Sequence, residues 1–278
     1  MEFYIIIILL IVFTAILIHH YKIKRLKELQ KRGVINVSHI KAIISLIQVH
    51  RGLSSALLNG DESKGKQLIL IEKKVKFESK HLQNQPVIFR SARWGAFIDH
   101  WGRLNKHNSS RDADNSFKQH TQLITNLLYL LEDEAERSYL NAAFLPKFNN
   151  VGFVWRELAV TAETIGQSRA IGMGVATSKS CSSIHKIRLS FLLQKIQQTM
   201  DETLPQLSVL ERFEYKHSDL LKAATSKMEF LISTIERDLL SASKITIDQD
   251  EYFSLATDSI EALDNIFDHQ IEQIKATI

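Results

Sequence analysis

Residues 40–58 read IKAIISLIQVHRGLSSALL, and the spacing of this stretch decides the fold. Ile40, Ile43, Ile44, Ile47, Ser54 and Leu58 recur at steps of three and four, the signature of one buried helix face. Arg51 falls on that face. A guanidinium keeps its proton and is expensive to bury unpaired, so Arg51 either reaches water along its aliphatic stem or meets an anion.

The rest of the composition agrees with helices throughout. The 278 residues include only three prolines and ten glycines, and long runs of Leu, Ile, Ala, Lys, Glu and Gln favour an all-α fold over a sheet. With 45% hydrophobic and 24% charged residues the chain can bury a core, as one large domain or two modest ones. The single cysteine, Cys181, excludes an internal disulfide framework and a cysteine-built zinc site. The net charge of +4 is mild, and much of the basic excess sits in one N-terminal segment. That placement signals membrane topology and argues against a nucleic-acid surface.

Phe3 to Ile18 carries no charge, and with His19, His20 and Tyr21 it approaches the length needed to cross a bilayer. A cleaved signal peptide would need a basic n-region before the run and a small-residue site after it, and neither is present. Residues 1–21 therefore read as one transmembrane anchor. Residues 22–36 follow as a basic juxtamembrane segment, with Lys22, Lys24, Arg25, Lys27, Lys31 and Arg32 against Glu28 alone. The excess of positive charge predicts a single-pass protein of the inner (cytoplasmic) membrane with residues 37–278 in the cytoplasm.

Gly33 and Asn36 to Ser38 predict a helix break, with Asn36 or Ser38 capping the helix that carries Arg51. Asn59-Gly60-Asp61 ends that helix, and a second runs from Glu62 to Leu82 with Leu68, Ile69, Ile71, Val75, Phe77 and Leu82 on its apolar side. Pro86 closes the resulting helical hairpin. Ser91 to Lys106 is expected to bury Trp94, Phe97, Ile98, Trp101 and Leu104. Residues 107–116, HNSSRDADNS, read as a loop. A long helix spans Phe117 to Phe144, and Pro146 ends it. Val151 to Ala176 carries the stripe Leu158, Ala162, Ile165, Gly172, Met173 and Ala176, interrupted by Arg169. A turn, TSKSCSS, leads to a helix from Ser183 that Pro205 breaks or kinks. The segment resumes to Leu240, and a last amphipathic helix, Glu251 to Ile278, places Phe253, Ala256, Ile260, Leu263, Ile266, Phe267, Ile271 and Ile274 on its stripe.

The anomaly of Arg51 thus occurs twice. HRGLSSALL and SRAIGMGVA share arginine followed by small and aliphatic residues in the same order. Gly52, Ser54, Ser55 and Ala56 thin the first helix beside its guanidinium, and Ala170, Gly172 and Gly174 thin the second. Glycine within a helix costs about 1 kcal/mol relative to alanine, so such clusters imply close backbone approach or room for a ligand. Neither arginine has an acid at helical i, i+4 spacing. Two planar donor forks in a small pocket suit the oxygens of a small anion such as nitrate or nitrite. The competing reading pairs each arginine with a distant glutamate, such as Glu163 or Glu132, inside a membrane-tethered helical scaffold that binds a partner.

HRGLSSALL, the stretch IGQSRAIGMGVATSKS and the stretch ITIDQDEYFSLATDSIEALDNIFD resemble the nitrate- and nitrite-sensing domain family, NIT, over residues 37–278. The resemblance implies paired up-down four-helix bundles that bind nitrate or nitrite between helices through arginines. It maps Arg51 and Arg169 as the charged ligands, and the small residues Gly52, Ser54, Ser55 and Gly172 beside them are expected to shape the pocket. The family's first motif commonly reads Glu-Arg-Gly, whereas this chain has His50 in place of the acid. Family members are usually joined to an output module such as a kinase, a chemotaxis region, a cyclic-dinucleotide enzyme or an RNA-binding antiterminator. This sequence carries no such module, so the resemblance implies a separate output protein, with a homodimer as a further assembly.

No cofactor and no metal is expected. His19, His20, His100 and His120 form no i, i+4 metal pair. Ser54, Ser55 and Ser168 lack a legible histidine and acid, and His50 is expected to point away from the face of Arg51, so the sequence does not read as an enzyme. Trp94, Trp101 and Trp155 read as core, and Cys181 as an inert turn cysteine.

Overall fold

The computed structural model describes residues 2–107 and 112–278. Among them there are nine α-helices and no strand. α1 runs from Glu2 to Leu58, α2 from Gly65 to Gln83, α3 from Pro86 to Phe89, α4 from Ala92 to His107 and α5 from Ala113 to Arg137. α6 spans Ala159–Ser178, α7 Ser183–Gln198, α8 Glu214–Thr234 and α9 Gln249–Lys275.

α1 is continuous over 57 residues, so the break expected at Gly33 to Ser38 does not occur. Each supposed breaker has a helical role. The missing Cβ of Gly33 leaves room for the side chain of Ser138. Asn36 is buried and donates to Glu134 at 2.8 Å, and the Ser38 hydroxyl donates back to the Val34 carbonyl. The packed part of α1 also begins earlier than residue 37, since Gln30, Val34 and Asn36 are already buried. Toward its other end the apolar run from Phe3 to Ile18 is exposed along its whole length. It makes α1 the one described helix apolar enough to cross a membrane.

Two sets of helices pack around this axis. The inner half of α1 lies along α5 and α2, with α4 laid on α5. α6 lies along α9 and α7, and α8 packs on α9 and α7. α1 touches α6 and α9, which joins the sets at a seam. Polar groups tie that seam: Lys41 on α1 meets Asp264 on α9 at 2.5 Å, and Gln48 on α1 donates to Glu163 on α6 at 3.0 Å.

The core stripes follow the expected spacing, with Ile40, Ile43, Ile44, Ile47, Leu123, Ile124, Leu127, Leu130 and Leu131 fully buried. Several details differ. α5 stops at Arg137 instead of Phe144, because Tyr139 adopts a left-handed conformation (φ 56°) and the Leu140 amide folds back to the Ala135 carbonyl. The Trp155 indole then fixes the turn by donating to the Leu140 carbonyl. The expected loop at 107–116 is shorter, since α4 reaches His107 and Asp112 caps α5; residues 108–111 lie outside the described residues. Ile69 and Phe77 of α2 are exposed rather than buried. On α9 it is Tyr252 that is buried, while Phe253 is 38% exposed. Pro205 breaks its helix as expected, inside a 3-10 turn.

Candidate functional site

A cavity of about 570 Å³ opens at the seam between α1 and α6, roofed by the start of α9. Arg51, Gly52 and Ser55 line it from α1, Arg169, Ala170 and Gly174 from α6, and Gln249 and Phe253 from α9. The two arginines singled out in the sequence therefore share one space.

Their environments are built alike. Arg51 Cζ lies 5.2 Å from the ring of Phe117, and its Nη1 reaches the hydroxyl of Thr121 at 3.2 Å. Arg169 Cζ lies 4.9 Å from the ring of Phe253, and its Nη1 reaches the hydroxyl of Thr257 at 2.8 Å. In both cases the aromatic residue and the threonine are one turn apart on the last helix of their set, in FKQHT on α5 and FSLAT on α9. The ring face attracts the cation and the hydroxyl orients one edge of the fork. The repetition seen around the arginines thus extends to their partners.

Charge compensation separates the two. Arg51 forms a two-point ion pair with Glu163 of α6, Nη1 to Oε1 at 2.5 Å and Nη2 to Oε2 at 3.1 Å. Both side chains are buried. Glu163 also accepts from Gln48 and Gln167. The distant glutamate partner that the competing reading expects is thus present for Arg51. Gly166 permits it, since a Cβ there would meet Arg51 Nη2 at 2.8 Å. Arg169 has no carboxylate within ion-pair distance among the described residues. Burial, and then the nearby charge of Arg51, push its pKa down from 12.5 to about 10. Glu163 and Tyr252 oppose that shift without cancelling it. One buried carboxylate thus serves two buried cations.

The smaller residues divide between wall and core. Gly52, Ser55 and Gly174 face the cavity, and nothing lies within 4 Å of the Cβ positions of the two glycines. Ser54 is fully buried, and its hydroxyl lies 3.2 Å from His50 Nδ1, so it does not line the cavity. Gly172 is a packing position, where a Cβ would collide with the ring of Tyr252. That ring is fully buried, and its hydroxyl donates to the Ser168 carbonyl at 3.0 Å. Gly172→Ala is expected to cost about 1–3 kcal/mol by overpacking, read as a lower denaturation midpoint. Met173, Gln48, Gln249, Phe253 and Thr257 also surround the arginines, and Asp61 lies on the cavity wall without pairing with either. Gln249, Phe253 and Thr257 lie on another helix and Gln48 lies outside the apolar stripe, so the sequence did not point to them, and Met173 read as part of the stripe. The paired aromatic-xxx-threonine motifs were the available signal.

His50 points away from the cavity. As expected it faces away from Arg51's side of the helix, and it is buried, with Nδ1 2.8 Å from His120 Nε2. His120 Nδ1 lies 2.7 Å from the Ser116 carbonyl, so that nitrogen carries the proton. His120 Nε2 must then accept, and His50 donates. Burial pushes the His50 pKa down from 6.5 to about 4. The unfolded chain takes up this proton near pH 6.5 and the folded chain does not. Stability is therefore expected to fall by about 1.4 kcal/mol per pH unit between roughly 6.5 and 4 from His50 alone. His217 and His269, also lowered chiefly by burial, act in the same direction. Denaturant midpoints between pH 7.5 and 4.5 measure the slope, and His50→Gln should flatten it.

Among solved structures the chain is similar to that of the NasR transcription antiterminator. The TM-score is 0.60 over 91% of this chain and 72% of that one, at 14% identity. At that identity the likeness establishes the helical fold alone. No family model and no curated protein matches the sequence.

Proposed function

We propose that the protein is a membrane-anchored sensor that binds a small oxyanion, nitrate or nitrite, in the cavity between α1 and α6 and relays its occupancy to a separate partner. The supporting observation is the unequal compensation of two like-built arginine sites. Glu163 presents two carboxylate oxygens to Arg51 in the geometry a planar oxyanion would present. Arg169 has the matching ring and hydroxyl without the carboxylate. Its open fork is the position for an external anion, and Arg51 is the second cation that raises the local potential. This version refines the resemblance to the NIT family, in which both arginines bind the anion directly. Paired four-helix bundles, the architecture that resemblance implies, would place the anion at the junction of the two sets.

A cavity of about 570 Å³ exceeds the roughly 30 Å³ that one water occupies in the liquid many times over. An anion bound there must therefore carry water or draw α6 and α9 inward. Inward motion is a means of signalling: an anion that binds the closed arrangement better shifts the population toward it. α1 passes from the cavity wall to the apolar segment without a break, so the shift acts on the membrane helix directly.

The second reading, a membrane-tethered scaffold with structural ion pairs, is favoured at one position, Arg51, by its bond to Glu163. Calorimetric titration of the full-length protein in detergent with nitrate, nitrite and chloride decides between them. The sensor reading requires saturable heat with nitrate or nitrite below about 1 mM, weaker with chloride, at a stoichiometry of one per chain. Absence of heat at millimolar anion leaves the scaffold.

A further inference from the structure

A second cavity, of about 660 Å³, lies where α1 leaves the helical sets for its apolar segment. Four separate parts of the chain wall it: residues 23–30 of α1, 144–148 of the loop after α5, 210–212 before α8, and 276–278 after α9. Ile23, Leu26, Phe144 and Leu210 give it apolar sides. Lys27, Lys147 and Arg212 stand exposed at it, against one acid, Glu211. Among the described residues none of these three cations has an ion-pair partner. Arg212 makes a long contact, 3.4 Å, to the Ala276 carbonyl, and its Cζ lies 4.9 Å from the ring of Phe213.

Position along α1 gives this cavity a specific neighbour. Ile23 is five residues past Ile18, where the charge-free run ends, which is about 8 Å along an α-helix. The polar layer on each side of a bilayer's hydrocarbon core is roughly 5–8 Å thick. The lower edge of the cavity therefore sits at headgroup depth when residues 3–18 span the membrane. A basic helix alone would coat any anionic surface without a defined site. Here Lys147 and Arg212, remote from α1 in sequence, converge with Lys27 around an apolar recess.

We propose that this cavity holds one anionic phospholipid of the membrane that α1 enters. An acyl chain lies against Ile23, Leu26, Phe144 and Leu210, and the phosphate is met by Lys27, Lys147 and Arg212. The proposal rests on reading α1 as a membrane anchor and is independent of the two-arginine cavity. Because the lipid bridges α1 to the loop after α5 and to the end of α9, it fixes how the helical sets stand on the membrane helix.

The test uses the full-length protein in phosphatidylcholine nanodiscs that carry a trace of photoreactive phosphatidylglycerol or, in parallel, photoreactive phosphatidylcholine, with labelled peptides mapped by mass spectrometry. The phosphatidylglycerol probe should label the peptides containing residues 144–148 and 276–278 at least about five-fold more than the neutral probe, the effect of one basic residue at an anionic surface. The triple variant K27Q/K147Q/R212Q should lose that preference, with labelling of residues 3–18 unchanged. Equal labelling by both probes, or labelling confined to residues 3–25, overturns the site. Preference abolished by millimolar inorganic phosphate reassigns it to free phosphate and also overturns the lipid. Alkaline carbonate extraction separates the two failures. A chain released from liposomes loses both the anchor and the lipid site, whereas a chain that is retained but unlabelled at 144–148 loses the lipid site alone.

Discussion

Replacing Glu163 with alanine is expected to lower the unfolding free energy by about 3–5 kcal/mol in anion-free buffer, the usual cost of orphaning one member of a buried pair. The variant leaves two buried guanidinium groups, Arg51 and Arg169, lining one cavity with no carboxylate paired to either. It also strands the amides of Gln48 and Gln167, which donate to Glu163 at 3.0 Å each. Arg51→Ala should cost less, because an orphaned Glu163 can take up a proton and a guanidinium cannot release one. The double variant Arg51→Ala with Glu163→Ala should recover much of the loss, and denaturant midpoints of all three give the coupling energy. On the sensor reading, nitrate is expected to act on Glu163→Ala as well. With two open forks the variant should gain about 2.7 kcal/mol at a hundredfold excess over its dissociation constant, and the gain should saturate. A cost below about 1 kcal/mol for Glu163→Ala would show that water reaches the pair, as it does for exposed ion pairs.

How much of this was legible beforehand follows from the range of each signal. Helical periodicity acts over a few residues, so the buried stripe at Ile40, Ile43, Ile44 and Ile47 could be read directly. The apolar run of α1 was legible for the same reason. Helix ends were less so. Gly33, Asn36 and Ser38 are breakers by propensity, and burial against Ser138 and Glu134 overrides propensity there. Arg51 and Arg169 could be found because a charge on an apolar stripe is a local anomaly. The carboxylate of Arg51 could only be guessed, since Glu163 is 112 residues away and reaches Arg51 through packing of α6 on α1. Gly172 and Ser54 show the opposite error. Small residues beside an arginine suggest ligand space, yet one makes room for the Tyr252 ring and the other is sealed against His50. A glycine records close approach without saying what approaches.

Arg169→Ala is expected to separate the sensor from the scaffold, because it removes a buried charge that has no carboxylate of its own. Burial and the charge of Arg51 already push the Arg169 pKa down to about 10, which means that the fold holds this cation at a cost. Deleting the cation relieves that cost and forfeits the packing of its stem on Phe253 and the bond to Thr257. These effects oppose each other, so stability without anion should change by no more than about 1 kcal/mol. The anion-dependent rise in Tm, by contrast, should vanish, since Arg51 remains occupied by Glu163. Arg169→Lys should retain a reduced rise, because an ammonium supplies the charge without the two parallel donors. A structural arginine would behave in reverse: its loss would cost several kcal/mol, and nitrate would leave Tm unchanged in both the parent and the variant. The asymmetry between Glu163→Ala and Arg169→Ala is therefore the sharper discriminator. A pair of structural ion pairs predicts two similar losses, whereas one internal and one external anion predict a large loss at Glu163 and almost none at Arg169.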